Sequence, residues 1–169
     1  PNHVEIIHSG SEVLFFRTAV MDSFVIPAEV PNLKKLDKYL NMNPTDKMLL
    51  KAYISYTLAH PKIASTSFPI LVLTGGQGSG KTSTTENIIL PLTDPNIVGV
   101  QAFPKGLNDL MIPAQNAHVL AFDNIRYIKP NMADGLCIAS TGGTISQRKL
   151  YTTDTQNVNF LHCAIILNG

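Results

Sequence analysis

Tryptophan is absent from this chain of 169 residues, cysteine occurs twice, and charged side chains make up only 15%, against roughly 25% in typical domains. Ser, Thr and Asn fill the polar positions instead, and with 44% hydrophobic residues the composition excludes a disordered chain. Cys137 and Cys163 sit in the apolar runs GLCIAS and HCAIIL, with no CxxC pair and no His at ligand spacing, so both are expected to be plain buried thiols. The formal charge is +1, from 13 basic and 12 acidic residues, so any contact with a polyanion must be local. No apolar run approaches the roughly 18 residues of a membrane span, and no basic-then-apolar leader opens the chain. The expectation is a cytoplasmic protein with no membrane partner. Pro1 in place of Met, and Gly169 directly after an apolar run, point to a segment of a longer chain.

The length fits one ordinary domain with a sizeable core. The stretch HVEIIHSGSEVLFFR has two β-rich runs around Ser9-Gly10-Ser11 and reads as a hairpin. LKKLDKYL is a short helical pattern, and Asn43-Pro44-Thr45-Asp46 predicts a helix start, with about four turns running to His60 before Pro61. From Phe68 onward, short apolar runs alternate with helical stretches, the pattern of a mainly parallel sheet with crossovers. Strands are expected at Ile70–Thr74, Ile97–Ala102, His118–Asp123 and Cys163–Leu167, and helices at Lys81–Leu90, Leu107–Gln115 and Met132–Ser140. Thr144–Tyr151 and Val158–Phe160 flank the turn-rich TTDTQN as a second hairpin. The organisation is therefore an N-terminal hairpin and helical segment, 1–62, followed by an α/β core, 63–169.

In LVLTGGQGSGKTS, residues Gly75, Gly80, Lys81 and Thr82 meet the pattern G-x-x-x-x-G-K-[ST], with a β-branched strand ahead and a helix behind. From average residue frequencies a chain of this length matches by chance with probability on the order of half a percent, which weighs against an ordinary Gly-rich surface turn. Glycines let the backbone bend around phosphates with its N–H groups inward, and the following helix adds the positive end of its dipole. The P-loop Gly75, Gly76, Gln77, Gly78, Ser79, Gly80, Lys81, Thr82 and Ser83 is thus expected to bind ATP or a similar nucleoside triphosphate. Lys81 is expected to reach the terminal phosphates, and the Thr82 hydroxyl to ligate Mg²⁺. VLAFDN supplies the second acid on the Mg²⁺ side, Asp123, at the end of a strand expected to neighbour the P-loop strand and to emerge beside the P-loop; the rival reading is an Asp capping a turn. AIILNG repeats the geometry, placing the Asn168 amide at a strand mouth where it can orient a water.

With these motifs the chain resembles the ATPase domain of phage- and mobile-element-encoded primase-helicases, close to superfamily 3 and AAA+ proteins. The likeness covers KMLLKAYISYTL, the P-loop, the passage from Leu90 to Asn124, NMADGLCIASTGGT, SQRKLYT and AIILNG. It implies a P-loop NTPase fold of three layers and an ATP-driven homo-oligomeric ring that moves on single-stranded DNA during replication. Lys81 and Thr82 match the Walker A pair, Asp123 the Walker B acid, and Asn168 sensor 1. Arg148 stands in an RxLYT-like stretch, where the resemblance implies contact with phosphate across a subunit boundary or with DNA; the rival is a solvated basic residue on a strand.

One position departs from the pattern. Most such motors carry an acid directly after the Walker B Asp, and here it is Asn124, whose amide cannot take up a proton. Glu86 or Asp134 could substitute, or hydrolysis could be slow. Two other readings therefore stay open beside the motor ATPase: a nucleotide-dependent regulatory module with weak hydrolysis, and a P-loop phosphotransferase.

Overall fold

Asn43 starts the first long helix through its side chain. Its Oδ1 accepts the Asp46 backbone N–H at 2.9 Å, Pro44 opens the first turn, and α1 (Pro44–Ala59) runs for 16 residues. The computed structural model describes residues 18–148 and 156–169, apart from 29, 31, 61, 64 and 65, and excludes the side chains of 146–148 and 156–158. The hairpin expected over 3–17 and the TTDT portion of the second hairpin's tip lie outside the described residues. LKKLDK forms a 3-10 helix, Leu33–Lys38, ahead of α1.

The strands are β1 (Ile70–Leu73), β2 (Gln101–Ala102), β3 (Val119–Asp123), β4 (Gly143–Arg148), β5 (Gln156–Leu161) and β6 (Ala164–Asn168). Four of them form a parallel sheet in the order β1-β6-β3-β2, and β4 and β5 form a separate antiparallel ladder. β1 is followed by a helical run of α2 (Lys81–Thr84), a π-helical turn (Thr85–Ile89) and α3 (Leu90–Thr93). Later come α4 (Leu107–Asn116) and α5 (Pro130–Thr141). The π turn has a cause in the sequence. Pro91 has no N–H for the Asn87 carbonyl and its ring crowds that group, while Leu90 donates back to Thr85, so the helix widens just before the proline.

The sheet is buried on both faces because its residues alternate between two cores. Val119, Ala121, Ala164 and Ile166 face a cluster with Leu50, Tyr53 and Ile54 of α1 and Ile89 and Leu90. Leu120, Phe122, Ile165 and Leu167 face the other, with Leu110 and Met111 of α4 and Met132, Leu136 and Ala139 of α5. This makes three layers. The Tyr53 hydroxyl donates to the Ile165 carbonyl at 3.2 Å, pinning α1 to the sheet, and burial pushes that phenol well above its ordinary value. The hairpin β4–β5 is tied to α4 by Gln115 Nε2, which donates to Asn159 Oδ1 at 2.6 Å.

Three expectations are corrected. The strand read over Ile97–Ala102 shrinks to β2, because Asn96 Oδ1 accepts the N–H groups of Val98 and Gly99, 3.1 and 2.9 Å away, diverting that backbone into a turn. The strand ending at Asp123 does not lie beside β1: β6 is inserted between them. Cys163 is buried, which pushes its thiol up to about 12, but Cys137 is exposed. The inward stripe of α5 is taken by Met132, Gly135, Leu136, Ala139 and Ser140, and Cys137 falls outside it.

Candidate functional site

Parallel pairing brings three strand ends to one level. Leu73 stands opposite Asn168, and Phe122 opposite Leu167, so Thr74, Asp123 and Asn168 emerge at the same rim of the sheet. Rims of this kind, at the carboxyl ends of parallel strands, are where α/β sheets bind ligands. Residues 74–80 form an open loop over that rim before the chain enters α2. Gly78 at φ 76° and Gly80 at φ 87° hold left-handed conformations that a side chain would strain. The first turn of α2 begins directly after Gly80 and leaves its leading N–H groups without helical partners.

Lys81 folds back over the loop, its Nζ donating to the carbonyls of Gly75 at 2.7 Å and Gly76 at 3.1 Å, with Ser79 Oγ at 3.5 Å. Thr82 points the other way, and its Oγ1 donates to Asp123 Oδ2 at 2.8 Å. Asp123 Oδ1 accepts the backbone N–H of Asn124 at 2.8 Å. Asn168 is fully buried, with its Oδ1 accepting from Thr85 Oγ1 at 3.2 Å, while its Nδ2 has no partner among the described residues. A buried amide N–H₂ left without an acceptor is costly.

These groups surround a cavity of about 510 Å³, lined by Gln77 to Ser83, Asp123, Asn124, Arg126 and Asn168. Of the nine loop residues expected to bind phosphate, Gln77, Gly78, Ser79, Gly80, Lys81, Thr82 and Ser83 face it, and Gly75 and Gly76 stand behind with their carbonyls held by Lys81. The structure thus brings Lys81, Thr82, Asp123 and Asn168 together. It does not do so for every candidate. The backbone of Arg148 pairs with Gln156 at the end of the β4–β5 ladder, and its side chain lies outside the described residues. Glu86 and Asp134 are exposed and neither lines the cavity.

Two residues escaped the sequence reading. Arg126 lines the cavity from the segment after β3; the signal was a basic side chain shortly after a strand-end acid. Thr85 fixes Asn168 from the π turn and gave no motif signal at all. Asn124 has φ 58°, a left-handed conformation that Asn and Asp adopt more readily than Glu does. The backbone there disfavours Glu but not Asp. Among the described residues no group of three or more His, Cys, Asp or Glu could hold a metal ion. None of the described helices is long and apolar enough to cross a membrane.

No curated protein and no solved structure matches the chain. A family model described as Actinomycete integrative conjugative element replication protein matches residues 38–169, a span that holds the glycine loop, Asp123 and Asn168. The chain belongs to the actinomycete integrative conjugative element replication protein family.

Proposed function

We propose that this chain is the ATP-binding and ATP-hydrolysing core of a replicative DNA helicase or primase-helicase of a mobile element, with a P-loop NTPase fold of superfamily 3 or AAA+ type. The observation that carries the reading is the meeting of Thr82 Oγ1 and Asp123 Oδ2, 2.8 Å apart, beside the loop that holds Lys81. A hydroxyl and a single carboxylate fit a Mg²⁺ ion, which takes few protein ligands and completes its shell with phosphate oxygens and water. The unpartnered Nδ2 of Asn168 fits a water or phosphate oxygen in the same way. The family's description as a replication protein of a conjugative element supports the DNA setting.

In this reading, the backbone N–H groups from Gly78 to Ser83 and the start of α2 hold the phosphates. Bound Mg²⁺ offsets the charge that develops along the phosphate chain during transfer to water. Lys81 exchanges the carbonyls of Gly75 and Gly76 for terminal phosphate oxygens, and Thr82 and Asp123 hold the cation. Asn168, fixed by Thr85, orients the attacking water. Arg148 contacts phosphate across a subunit boundary or DNA, and the working form is a homo-oligomeric ring on single-stranded DNA.

Single-stranded DNA should stimulate ATP hydrolysis by the oligomer, and Lys81→Ala should abolish it. An oligomer indifferent to DNA would refute the helicase reading. Asn124 favours a second reading, a nucleotide-dependent switch that hydrolyses slowly, since no described carboxylate besides Asp123 lines the cavity. Tight ATP binding with negligible turnover in the DNA-bound oligomer would select it.

A further inference from the structure

The helical run that follows the glycine loop is not regular. In its π-helical turn, Thr85–Ile89, the Leu90 N–H reaches back to the Thr85 carbonyl rather than to that of Glu86. On the loop side of this turn, the Thr84 backbone N–H donates to the Gly80 carbonyl at 2.8 Å. The Thr85 hydroxyl lies 3.1 Å from the Lys81 carbonyl and 3.2 Å from Asn168 Oδ1. On the far side the run is held by the core. Ile89 and Leu90 are buried with α1 and the sheet, and Thr93 Oγ1 donates to the Ile89 carbonyl at 2.8 Å. The turn therefore joins two fixed ends. A π turn holds one residue more than an α turn, so it offsets the faces on either side of it by roughly 100°.

We infer that Pro91 is a positioning residue for the triphosphate site: by fixing the π turn, it sets the rotation at which Thr85 meets Asn168. The inference rests on the reading of Asn168 as the group that orients the attacking water. Pro91 itself does not line the loop cavity, so it acts through Thr85. With an N–H at position 91, the Asn87 carbonyl would gain its α-helical partner and the turn would close to the α form. One end must then rotate. Burying the Ile89 and Leu90 side chains is worth more than one hydroxyl contact, so the rotation falls on Thr85. Stability and turnover should consequently move in opposite directions. Removing the proline restores a helix hydrogen bond, yet it takes from Asn168 the contact that holds its amide.

Pro91→Ala tests this by three measurements on the full chain. Hydrogen-bond couplings in NMR spectra should show the Leu90 N–H moving from the Thr85 carbonyl to that of Glu86. The midpoint of thermal unfolding should equal or exceed the parent's. For ATP hydrolysis, kcat should fall by roughly tenfold with KM within a factor of about two. In a Thr85→Val background the same change should cost less than about twofold, because its effect passes through a hydroxyl already removed. Pro91→Gln, a second helix former that restores the N–H, should repeat the pattern. A Leu90-to-Thr85 bond that persists in both variants shows that packing and not the proline sets the turn, and overturns the inference. So does a shifted bond with kcat unchanged, or a tenfold loss that is undiminished in the Thr85→Val background. A parent chain that hydrolyses no ATP removes the reaction reading and the positioning role with it, whatever the bond pattern.

Discussion

Thr85 Oγ1 donates to Asn168 Oδ1 across 3.2 Å, from the π-helical turn to the end of β6, and among the described residues the amide Nδ2 of this fully buried Asn has no acceptor. The same hydroxyl lies 3.1 Å from the Lys81 carbonyl. One side chain thus links the helix that starts at the glycine loop to the strand inserted between β1 and β3.

If Thr85 holds the Asn168 amide in place, Thr85→Val should lower kcat for ATP hydrolysis by about tenfold or more while leaving KM within a factor of about two, the pattern of a lost transition-state contact. Thr85→Ser should restore kcat. A Thr85→Val chain that loses nucleotide affinity with kcat intact would place the residue in binding instead.

Arg126 faces the loop cavity with Asp123 and Asn168. A guanidinium there adds positive charge where terminal phosphate oxygens gather. Arg126→Gln should therefore weaken ATP more than ADP, by roughly tenfold in the ratio of their dissociation constants. Equal weakening of both nucleotides would argue against this placement.

Asn124 sits at φ 58°. Replacing it by Glu should cost about 1 kcal/mol, since a longer side chain lacks the tolerance of Asn for the left-handed region, and lower the midpoint of thermal unfolding by about 3 °C. Asn124→Gly should unfold within about a degree of the parent. A stabilising Asn124→Glu would show that backbone conformation is not what favours Asn here.

Burial lowers the His162 imidazole below its ordinary value, and nearby Lys62 and His118 add to the shift against the opposing effect of the Thr66 backbone. The folded chain thus prefers neutral His162. Stability should be fully present above the unfolded value of about 6.5 and be lost as pH falls below it. Urea midpoints measured across that range should drop on acidification, and His162→Phe, which keeps a ring without titrating, should flatten the slope. A midpoint that rises on acidification in the parent contradicts the assignment.

Much of this arrangement is legible in the residues. Asn43 and Pro44 announce α1 because capping is a local interaction, and the glycine loop is readable because its backbone needs glycine at fixed places. Asp123 and Asn168 are visible as polar residues ending apolar strands. What the residues do not carry is strand order: nothing in AIILNG says that it inserts between β1 and β3, since that is decided by crossovers distant in sequence. Thr85 and Arg126 were missed for the same reason, because their partners come from other elements. The strand over Ile97–Ala102 failed at the opposite scale, where one Asn96 side chain captured two backbone N–H groups that the ladder needed. Cys137 was misplaced because an apolar neighbourhood in sequence does not fix which face of a helix a residue occupies.

In the proposed function the loop from Gly75 to Ser83, with Asp123 and Asn168, is a Mg²⁺-dependent triphosphate site. Calorimetric titration of ATP into the parent chain and into Lys81→Ala, each with and without Mg²⁺, tests it most directly. Saturable binding by the parent is expected, weakened at least roughly tenfold without Mg²⁺ and by about a hundredfold in Lys81→Ala, the loss of one charged contact to phosphate. Binding of equal strength in the parent and in Lys81→Ala, or no binding by the parent, would contradict it.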